Sequence, residues 1–267
     1  MTTETEIEIS EEYINLVAES AALAGLLLLE NGGETFRAEE TAIEICRAGG
    51  CETFDVLALP TGIFITLSMP HGKPVSTVTR VKKRTTNLMK LERVNSFARS
   101  FCQGSITIDE LKQNLQDLAN IKKKTNRFLG AAIAGTAAAM FTLLFGGTLF
   151  DFAVSFVCGV LIRFFSTSFG RTNIYHFTVS FIGGIIIASV AVLATSLCGM
   201  GSIDKISVGA MQALLPGLAM TNAIRDTVMG DLVSGTARAA EALLVAVAIA
   251  AGVGSVLSLY ISLGGVI

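Results

Sequence analysis

The chain has 267 residues, of which 51% are hydrophobic and 16% are charged, and its formal net charge is −2. Of its 42 charged residues, 32 lie in residues 1–127 and only 10 in residues 128–267. This composition excludes a wholly cytosolic enzyme, a secreted protein and a nucleic-acid-binding protein, because half of the chain is too apolar for water and no basic excess is present. It predicts a membrane protein with a soluble N-terminal domain.

The first twelve residues contain five acidic side chains and no basic one. A secretory signal needs a basic start followed by an apolar core, so we expect the N-terminal domain to stay in the cytoplasm. The five cysteines are odd in number and form no Cys-x-x-Cys pair, which favours reduced thiols over disulfides. With only two histidines, the sequence predicts no metal site, no Ser-His-Asp triad and no cofactor.

Residues 1–127 are predicted to form a cytoplasmic α+β domain with a small sheet. Ser10, followed by two acids, is predicted to be an N-cap, and the apolar spacing after it indicates a helix that ends at Asn31-Gly32. Glycine, proline and capping signals delimit the other elements. These are a helix over residues 35–48, strands over 53–59, 63–68 and 74–81, a helix over 87–101, and a last helix that begins at the capping box Thr107-x-x-Glu110.

Charged residues form two clusters in this domain. One surrounds the turn between the first two helices and the other follows the third strand. Their members are Glu30, Glu34, Arg37, Glu39 and Glu40, then Arg80, Lys82, Lys83 and Arg84. One interpretation is solvated charge at helix ends and a strand exit; the other is docking against the cytoplasmic face of the membrane. His71 lies in a Pro/Gly turn, where we expect an exposed rather than a catalytic side chain.

Residues 128–267 are predicted to form an all-α transmembrane bundle, because a span needs about 20 apolar residues and several charge-free runs are that long. Five helices are expected, at about 128–147, 149–167, 175–198, 204–224 and 239–263. Small residues recur every four positions, which allows helices to approach closely. The patterns are Ala131-x3-Gly135-x3-Ala139, Gly184-x3-Ala188 and Ala246-x3-Ala250-x3-Gly254.

The distribution of Lys and Arg predicts the orientation of these helices, since basic residues accumulate on the cytoplasmic side. With the N-terminus inside, eight basic residues flank the cytoplasmic ends and only Lys205 flanks the outer ends. The eight are Lys122, Lys123, Lys124, Arg127, Arg163, Arg171, Arg225 and Arg238. We therefore expect a multi-pass protein of the inner membrane with a cytoplasmic N-terminus and an external C-terminus.

The fourth predicted span contains a helix-breaking pair, Pro216-Gly217, followed by half of the ten charges beyond residue 127. Broken helices are a common way to build a transporter site, because the freed peptide groups face the ligand. An Arg can hold a substrate carboxylate, and acids at membrane depth can accept an ammonium or relay protons. The predicted substrate-binding residues are Pro216, Gly217, Asn222, Arg225, Asp226, Asp231, Arg238 and Glu241. The other interpretation is a cytoplasmic loop whose charges pair with one another.

The chain resembles the threonine/serine exporter (ThrE) family, as the longer subunit of its split, two-component form (YjjP-like). Four segments carry the resemblance, and it extends from about residue 14 to residue 255. The segments are residues 27–41 (LLLENGGETFRAEET), 59–63 (LPTGI), 79–99 (TRVKKRTTNLMKLERVNSFAR) and 216–242 (PGLAMTNAIRDTVMGDLVSGTARAAEA).

The resemblance implies a secondary transporter that exports small hydrophilic metabolites, either threonine- and serine-like amino acids or dicarboxylates such as succinate. It also implies a shorter multi-span membrane subunit of the same family as the partner, besides the lipid bilayer. Two alternatives remain open at this stage. One is a membrane-embedded sensor or scaffold, and the other is a membrane-anchored enzyme that acts through its N-terminal domain, although that domain contains no nucleophile motif, phosphate loop or metal-ligand spacing.

Overall fold

The structure is a computed structural model that describes residues 3–68, 74–121, 126–169 and 176–265, without the side chains of residues 3–11, 169 and 176. The chain forms two compact units. The first consists of Met1–Lys122 and Leu218–Ala239, and the second of Lys123–Gly217 and Ala240–Ile267. The predicted boundary at residue 127 lies close to the first change of unit, whereas the return of residues 218–239 to the first unit was not predicted.

The first unit begins with helices and strands close to the predicted ones. They are α1 (Thr3–Glu30), α2 (Thr35–Ala48), β1 (Thr53–Leu59), β2 (Gly62–Ser68), β3 (Val75–Arg80), α3 (Leu88–Cys102) and α4 (Ile108–Asn120). The capping box that opens α4 is confirmed, with Thr107 and Glu110 each bonding the other's backbone N–H. The predicted N-cap at Ser10 is wrong, because α1 already begins at Thr3. His71 lies outside the described residues.

The three strands form an antiparallel sheet in the order β1-β2-β3. The central strand β2 alternates, so that Ile63, Ile65 and Leu67 point into the core and are at most 1% exposed. Helix α1 packs on this face. Gly25 permits the close approach, because a Cβ there would collide with the side chain of Ile63. The sheet therefore covers one side of α1 and shields it from solvent.

Helix α1 is long and apolar enough to cross a membrane over Glu12–Glu30, yet 61% of that segment is buried within the protein. Its buried residues, such as Ile14 and Val17, share one core with residues of α2, the sheet, α3 and α4. The hydrophobicity of α1 is thus satisfied inside the first unit.

The hydrophobic half contains α5 (Arg127–Leu144), α6 (Leu149–Phe169), α7 (His176–Cys198), α8 (Ile203–Met211), α9 (Gly217–Val228) and α10 (Leu232–Ser262). Four of these helices are long and apolar enough to cross a membrane, and only 28–33% of each is buried. They are α5, α6, α7 and α10. Together with α1, the described residues contain five such helices. The basic residues Lys122, Lys123, Lys124 and Arg171 lie outside the described residues.

The fourth predicted span, residues 204–224, is not one continuous helix. The structure divides it into the nine-residue α8 and the twelve-residue α9, separated by residues 212–216. The break ends at Pro216, since proline disfavours helical backbone in the residue before it. The predicted break is thus confirmed, but the predicted uninterrupted helix is wrong.

Helix α8 lies inside the second unit and is held by polar contacts at its start. The buried carboxylate of Asp151, at the beginning of α6, accepts hydrogen bonds from the backbone N–H of Thr148 (2.7 Å) and Ser202 (2.9 Å). Further along, Ser155 donates to the carbonyl of Ile206, and Thr142 donates to Ser155. These bonds fix α8 against α5 and α6, as expected where water is scarce.

Two of the three predicted small-residue patterns mark close helix contacts. A Cβ on Gly159 would lie 2.7 Å from the carbonyl oxygen of Ala134, and one on Gly135 would lie 2.8 Å from that of Phe156, so α5 and α6 touch along their backbones. A Cβ on Gly184 would lie 2.7 Å from the carbonyl oxygen of Ile249 in α10. In the third pattern, a Cβ on Gly254 would meet nothing within 4 Å among the described residues, so that pattern remains a prediction.

The cysteines of the first unit are free thiols, as predicted. Burial raises the pKa of the Cys46 thiol to about 12, and burial also raises the pKa of Cys51. Both therefore stay protonated at neutral pH, and Cys46 becomes reactive only when the surrounding core opens.

Candidate functional site

The turn between α1 and α2 is the centre of a polar network in the first unit. Gly32 has φ = 91°, a left-handed conformation that glycine adopts without strain. Gly33 is equally constrained, because a Cβ there would lie 2.8 Å from the carbonyl oxygen of Leu28. The residue before α2, Glu34, makes no side-chain cap. The N-terminus of α2 thus needs a hydrogen-bond acceptor from elsewhere.

Asp226 of α9 supplies that acceptor from 191 residues away. Its Oδ1 accepts the backbone N–H of Thr35 at 3.0 Å, and its Oδ2 accepts the hydroxyl of Thr35 at 3.0 Å. The carboxylate is 0% exposed. An acid at this position also interacts favourably with the dipole of α2. Asp226 therefore caps α2 from a distant part of the sequence.

Arg238 of α10 balances the charge of Asp226. Its Nε lies 3.0 Å from Asp226 Oδ2, while its Nη2 donates to the carbonyl of Gly33 at 3.0 Å and to the hydroxyl of Thr35 at 3.1 Å. The side chain is only 11% exposed. The guanidinium therefore contacts the carboxylate through Nε and the turn through Nη2, which holds the two together.

Two further side chains of α9 reach the same turn. Asn222 is buried and donates its Nδ2 to the carbonyl of Gly32 at 3.0 Å. Arg225 pairs with Glu34, whose other oxygen lies 3.9 Å from Arg37 Nε. Arg225 differs from the others in exposure, since 59% of its side chain is accessible. Like Arg37, whose side chain is 60% exposed, Arg225 is an accessible cation beside Glu34.

A groove of about 430 Å³ runs beside this ion pair, between α2 and α9. Its charged lining residues are Glu34, Arg37, Glu40 and Arg225, and its apolar ones are Phe36, Ile224, Val228 and Met229. The groove thus combines both signs of charge with apolar surface. That combination suits a small amphiphilic ligand, or the boundary between an apolar phase and charged groups.

The other predicted site residues have different positions. Asp231 caps α10 by accepting the backbone N–H of Ser234 at 3.0 Å, which explains its position without a ligand. Pro216 ends the break before α9, Gly217 is the first residue of α9, and Glu241 lies on α10 in the second unit. Four of the eight predicted residues, Asn222, Arg225, Asp226 and Arg238, thus converge on the turn at residues 32–35.

The sequence interpretation missed the residues on the opposite side of this network. Thr35 and Gly33 supply most of its hydrogen-bond partners, and neither was a candidate. Glu34 was noted only as part of a charge cluster. The available signal was that two segments, residues 27–41 and 216–242, both concentrate charged and polar residues. The ion pair between Asp226 and Arg238 agrees with the second interpretation of this segment, in which its charges pair with one another instead of binding a substrate.

The part of the chain that the structure describes contains no group of three or more His, Cys, Asp or Glu residues that could hold a metal ion. A separate cleft of about 600 Å³ lies in the second unit, between the end of α7, the start of α8 and Tyr260. Its acid is Asp204, which accepts a hydrogen bond from the hydroxyl of Ser202. Among the described residues, the predicted site residues form one ion-paired network, and it lies at the α1–α2 turn.

The model of one protein family, described as "Putative threonine/serine exporter" (ThrE), matches residues 19–260, which is most of the chain. The chain belongs to the threonine/serine exporter family. The matched region includes both the α1–α2 turn and the α9–α10 residues that bind it. The polar network is thus built within the part of the chain that defines membership of the threonine/serine exporter family.

Two relatives in the threonine/serine exporter family are similar to this chain. A protein named "Probable threonine/serine exporter" from Mycobacterium tuberculosis (strain ATCC 25618 / H37Rv) is 24% identical over 228 residues, 85% of this chain and 43% of the relative. The "Threonine/serine exporter" of Corynebacterium glutamicum is 27% identical over 244 residues, 88% of this chain and 49% of the relative. The chain thus spans about half the length of the curated relatives it matches. No solved structure matches it.

Proposed function

We propose that the chain is a subunit of a secondary transporter that exports small hydrophilic metabolites across the cytoplasmic membrane. The family match over residues 19–260 carries this proposal, and the names of both relatives point to threonine and serine as substrates. Dicarboxylates such as succinate are the second substrate class, because an exposed arginine such as Arg225 can bind either kind of carboxylate.

A second membrane component is part of the proposal. The matched regions cover 43% and 49% of the two relatives, so the remainder of each relative has no counterpart in this chain. Transporters are commonly built from two related halves. We therefore assign the missing half to a shorter multi-span membrane subunit of the same family, which makes the active exporter a hetero-oligomer.

Export of labelled threonine, serine and succinate tests both parts of the proposal. Cells that carry this chain together with the shorter subunit should release at least one of these compounds faster than cells with either protein alone. A chain with Asp226→Ala, which removes the buried carboxylate, serves as the inactive control. Equal release from all strains for all three compounds would contradict the export function, and full activity of this chain alone in liposomes would contradict the need for a partner.

The proposed topology has the N-terminus in the cytoplasm and the C-terminus outside. Residues 218–239 belong to the same unit as residues 1–122, so the chain between them would leave and return to one side of the membrane. Helices α5, α6 and α7 account for three crossings, and α8 with residues 212–216 would make the fourth. Helix α10 then makes a fifth crossing, which leads to the outside.

A C-terminal fusion distinguishes five crossings from four. With five crossings, alkaline phosphatase fused after residue 267 should be active and a green fluorescent protein fused there should be dark. The opposite pair of results would place the C-terminus on the cytoplasmic side and would contradict five crossings. A fusion after residue 121 should give fluorescence without phosphatase activity and serves as the control.

We propose that the substrate path passes the helix break at residues 212–216 and that Arg225 binds the substrate carboxylate. Of the charged residues at the α1–α2 turn, Asp226 and Arg238 are buried and bound to each other, whereas the side chain of Arg225 is 59% exposed. In this proposal Asn222, Asp226, Asp231 and Arg238 position the α9–α10 segment, and Pro216, Gly217 and Glu241 lie along the path. Peptide groups freed at the break provide further donors and acceptors.

Replacing Arg225 by Lys tests the role of its fork. The charge is retained but the planar pair of donors is lost, so we expect export to fall by at least about tenfold, the equivalent of 1.4 kcal/mol. Arg37→Lys is the matched control, because Arg37 is also close to Glu34 and its side chain is 60% exposed. Export is normalised to the amount of protein in the membrane. If both substitutions lowered export equally, or if neither lowered it, a specific role for Arg225 would be contradicted.

A further inference from the structure

Helix α9 and the first turns of α10 bury several polar side chains and expose large apolar ones. Asn222, Asp226 and Ser234 point inward and are at most 4% exposed, while Arg225 and Thr236 are exposed. Six large apolar side chains point outward and are 52–78% exposed. These residues, here called the apolar elbow, are Met220, Ile224, Val228, Met229, Leu232 and Val233.

Water is an unsuitable surrounding for such a surface. A helix on a water-exposed surface buries its apolar stripe and turns its polar residues outward. In the apolar elbow, Met220, Ile224 and Val228 follow one another at four-residue spacing and form one exposed stripe on α9. A contiguous apolar patch of this kind marks contact with a membrane or a protein.

The neighbouring hydroxyl groups are hydrogen-bonded in a way that suits a lipid environment. Thr227 donates to the carbonyl of Ala223 at 2.8 Å, and the exposed Thr236 donates to the carbonyl of Leu232 at 2.6 Å. Each hydroxyl thus has its partner within its own helix. Thr136 of α5 and Thr195 of α7 bond in the same way within candidate membrane-spanning helices. A bilayer core offers no partner of its own, so polar groups there must be satisfied internally.

The apolar elbow is continuous with a candidate membrane-spanning segment. Leu232 and Val233 are the first two residues of the segment Leu232–Ser262. Further along α10, Leu243, Leu244 and Val247 are 57–65% exposed. The two charged residues of α10 do not interrupt this outer surface, since Arg238 is buried and Glu241 is half-buried. The exposed side of α10 therefore carries no ionisable group that lies fully in the open.

We infer that the apolar elbow is embedded among the acyl chains of the bilayer, so that the first unit is itself attached to the membrane. Arg225 lies beside the elbow, pairs with Glu34 and has a long side chain that can reach the headgroup layer. The inference does not depend on the transported substrate. It assigns lipid, rather than water or a partner subunit, as the surrounding of the outward face of α9.

Spin labels on single cysteines test this inference. The full chain, with its exposed Cys102 and Cys198 replaced by Ser, is reconstituted in phosphatidylglycerol–phosphatidylcholine nanodiscs and labelled at Ile224→Cys or Val228→Cys. Leu144→Cys on α5, 75% exposed, is the lipid reference, and Leu88→Cys at the start of α3, 66% exposed, is the water reference. Collision rates with oxygen and with a water-soluble nickel chelate are measured at each position.

We expect the labels at residues 224 and 228 to collide at least about three times more often with oxygen, relative to the nickel chelate, than the label at residue 88. Their ratio should approach that of residue 144. A ratio equal to that of residue 88 would show that the elbow faces water. Low collision rates with both reagents would show that protein covers it. Either of these results would overturn the inference.

Discussion

Replacing Asp226 by Ala should destabilise the first unit more than any other single charge removal in the α1–α2 network. The carboxylate is fully buried and binds both Thr35 and Arg238. Removing it leaves a buried guanidinium without its counter-ion, which typically costs about 3–5 kcal/mol. For a unit of this size, the loss corresponds to a fall of roughly 10–20 °C in the unfolding temperature.

The chain contains no tryptophan, but its buried thiols report unfolding. Cys46 is 0% exposed in the first unit and Cys158 is 0% exposed in the second. Alkylation during a temperature ramp, followed by mass spectrometry, thus reads each unit separately. In Asp226→Ala, Cys46 should react at a lower temperature, whereas the exposed-site control Asp117→Ala should behave like the wild type.

A double variant separates charge pairing from other effects of Asp226→Ala. When Asp226→Leu is combined with Arg238→Met, no buried charge is left unpaired, so much of the stability should return. The α2 cap remains lost, which costs about 1 kcal/mol. If Asp226→Ala left the reactivity of Cys46 unchanged, the capping and pairing described for this carboxylate would be wrong.

Replacing Gly159 by Leu should disrupt the second unit. A Cβ at this position would lie 2.7 Å from the carbonyl oxygen of Ala134 and 2.8 Å from the Cα of Gly135. Both are backbone atoms, so α5 and α6 must separate. Overpacking of a tight contact costs about 1–3 kcal/mol when side chains can move, and we expect at least the upper end of that range here. Cys158, the neighbour of Gly159, should become reactive at a lower temperature.

Gly254→Leu is the matched control for this substitution. It introduces the same side chain into a candidate membrane-spanning helix, but at a position where a Cβ meets nothing within 4 Å. The reactivity of Cys158 should then be close to that of the wild type. Similar destabilisation by both substitutions would show that added bulk, rather than the backbone contact between α5 and α6, is responsible.

The elements of the first unit were predictable because local signals delimit them. Helix α2 occupies Thr35–Ala48, as the Gly49-Gly50 pair after it predicts, and the strands follow the glycine and proline turns. The fourth predicted span was wrong because hydropathy averages over residues 204–224. An average over the whole segment stays high even though the break at residues 212–216 leaves two short helices in place of one long one.

The network at the α1–α2 turn was only half predictable. A sequence shows that Asp226 and Arg238 are unusual in an apolar region, but it does not show which distant group they bind. Thr35 is an ordinary residue at the start of a helix, and its role arises only because the chain returns after 191 positions. Burial has the same limitation, since Arg225 and Asp226 are adjacent but differ from largely exposed to fully buried.

The 191-residue separation between Thr35 and Asp226 has a consequence for biogenesis. When the ribosome has made the first 122 residues, α2 still lacks its cap, and the turn at Gly33 lacks its arginine. At synthesis rates of about 5–20 residues per second, Asp226 and Arg238 follow roughly 5–23 s later. Until then the nascent unit is incomplete and open to chaperones and proteases. The first unit can be completed only after the intervening hydrophobic helices have been made. Its maturation is therefore linked to that of the second unit.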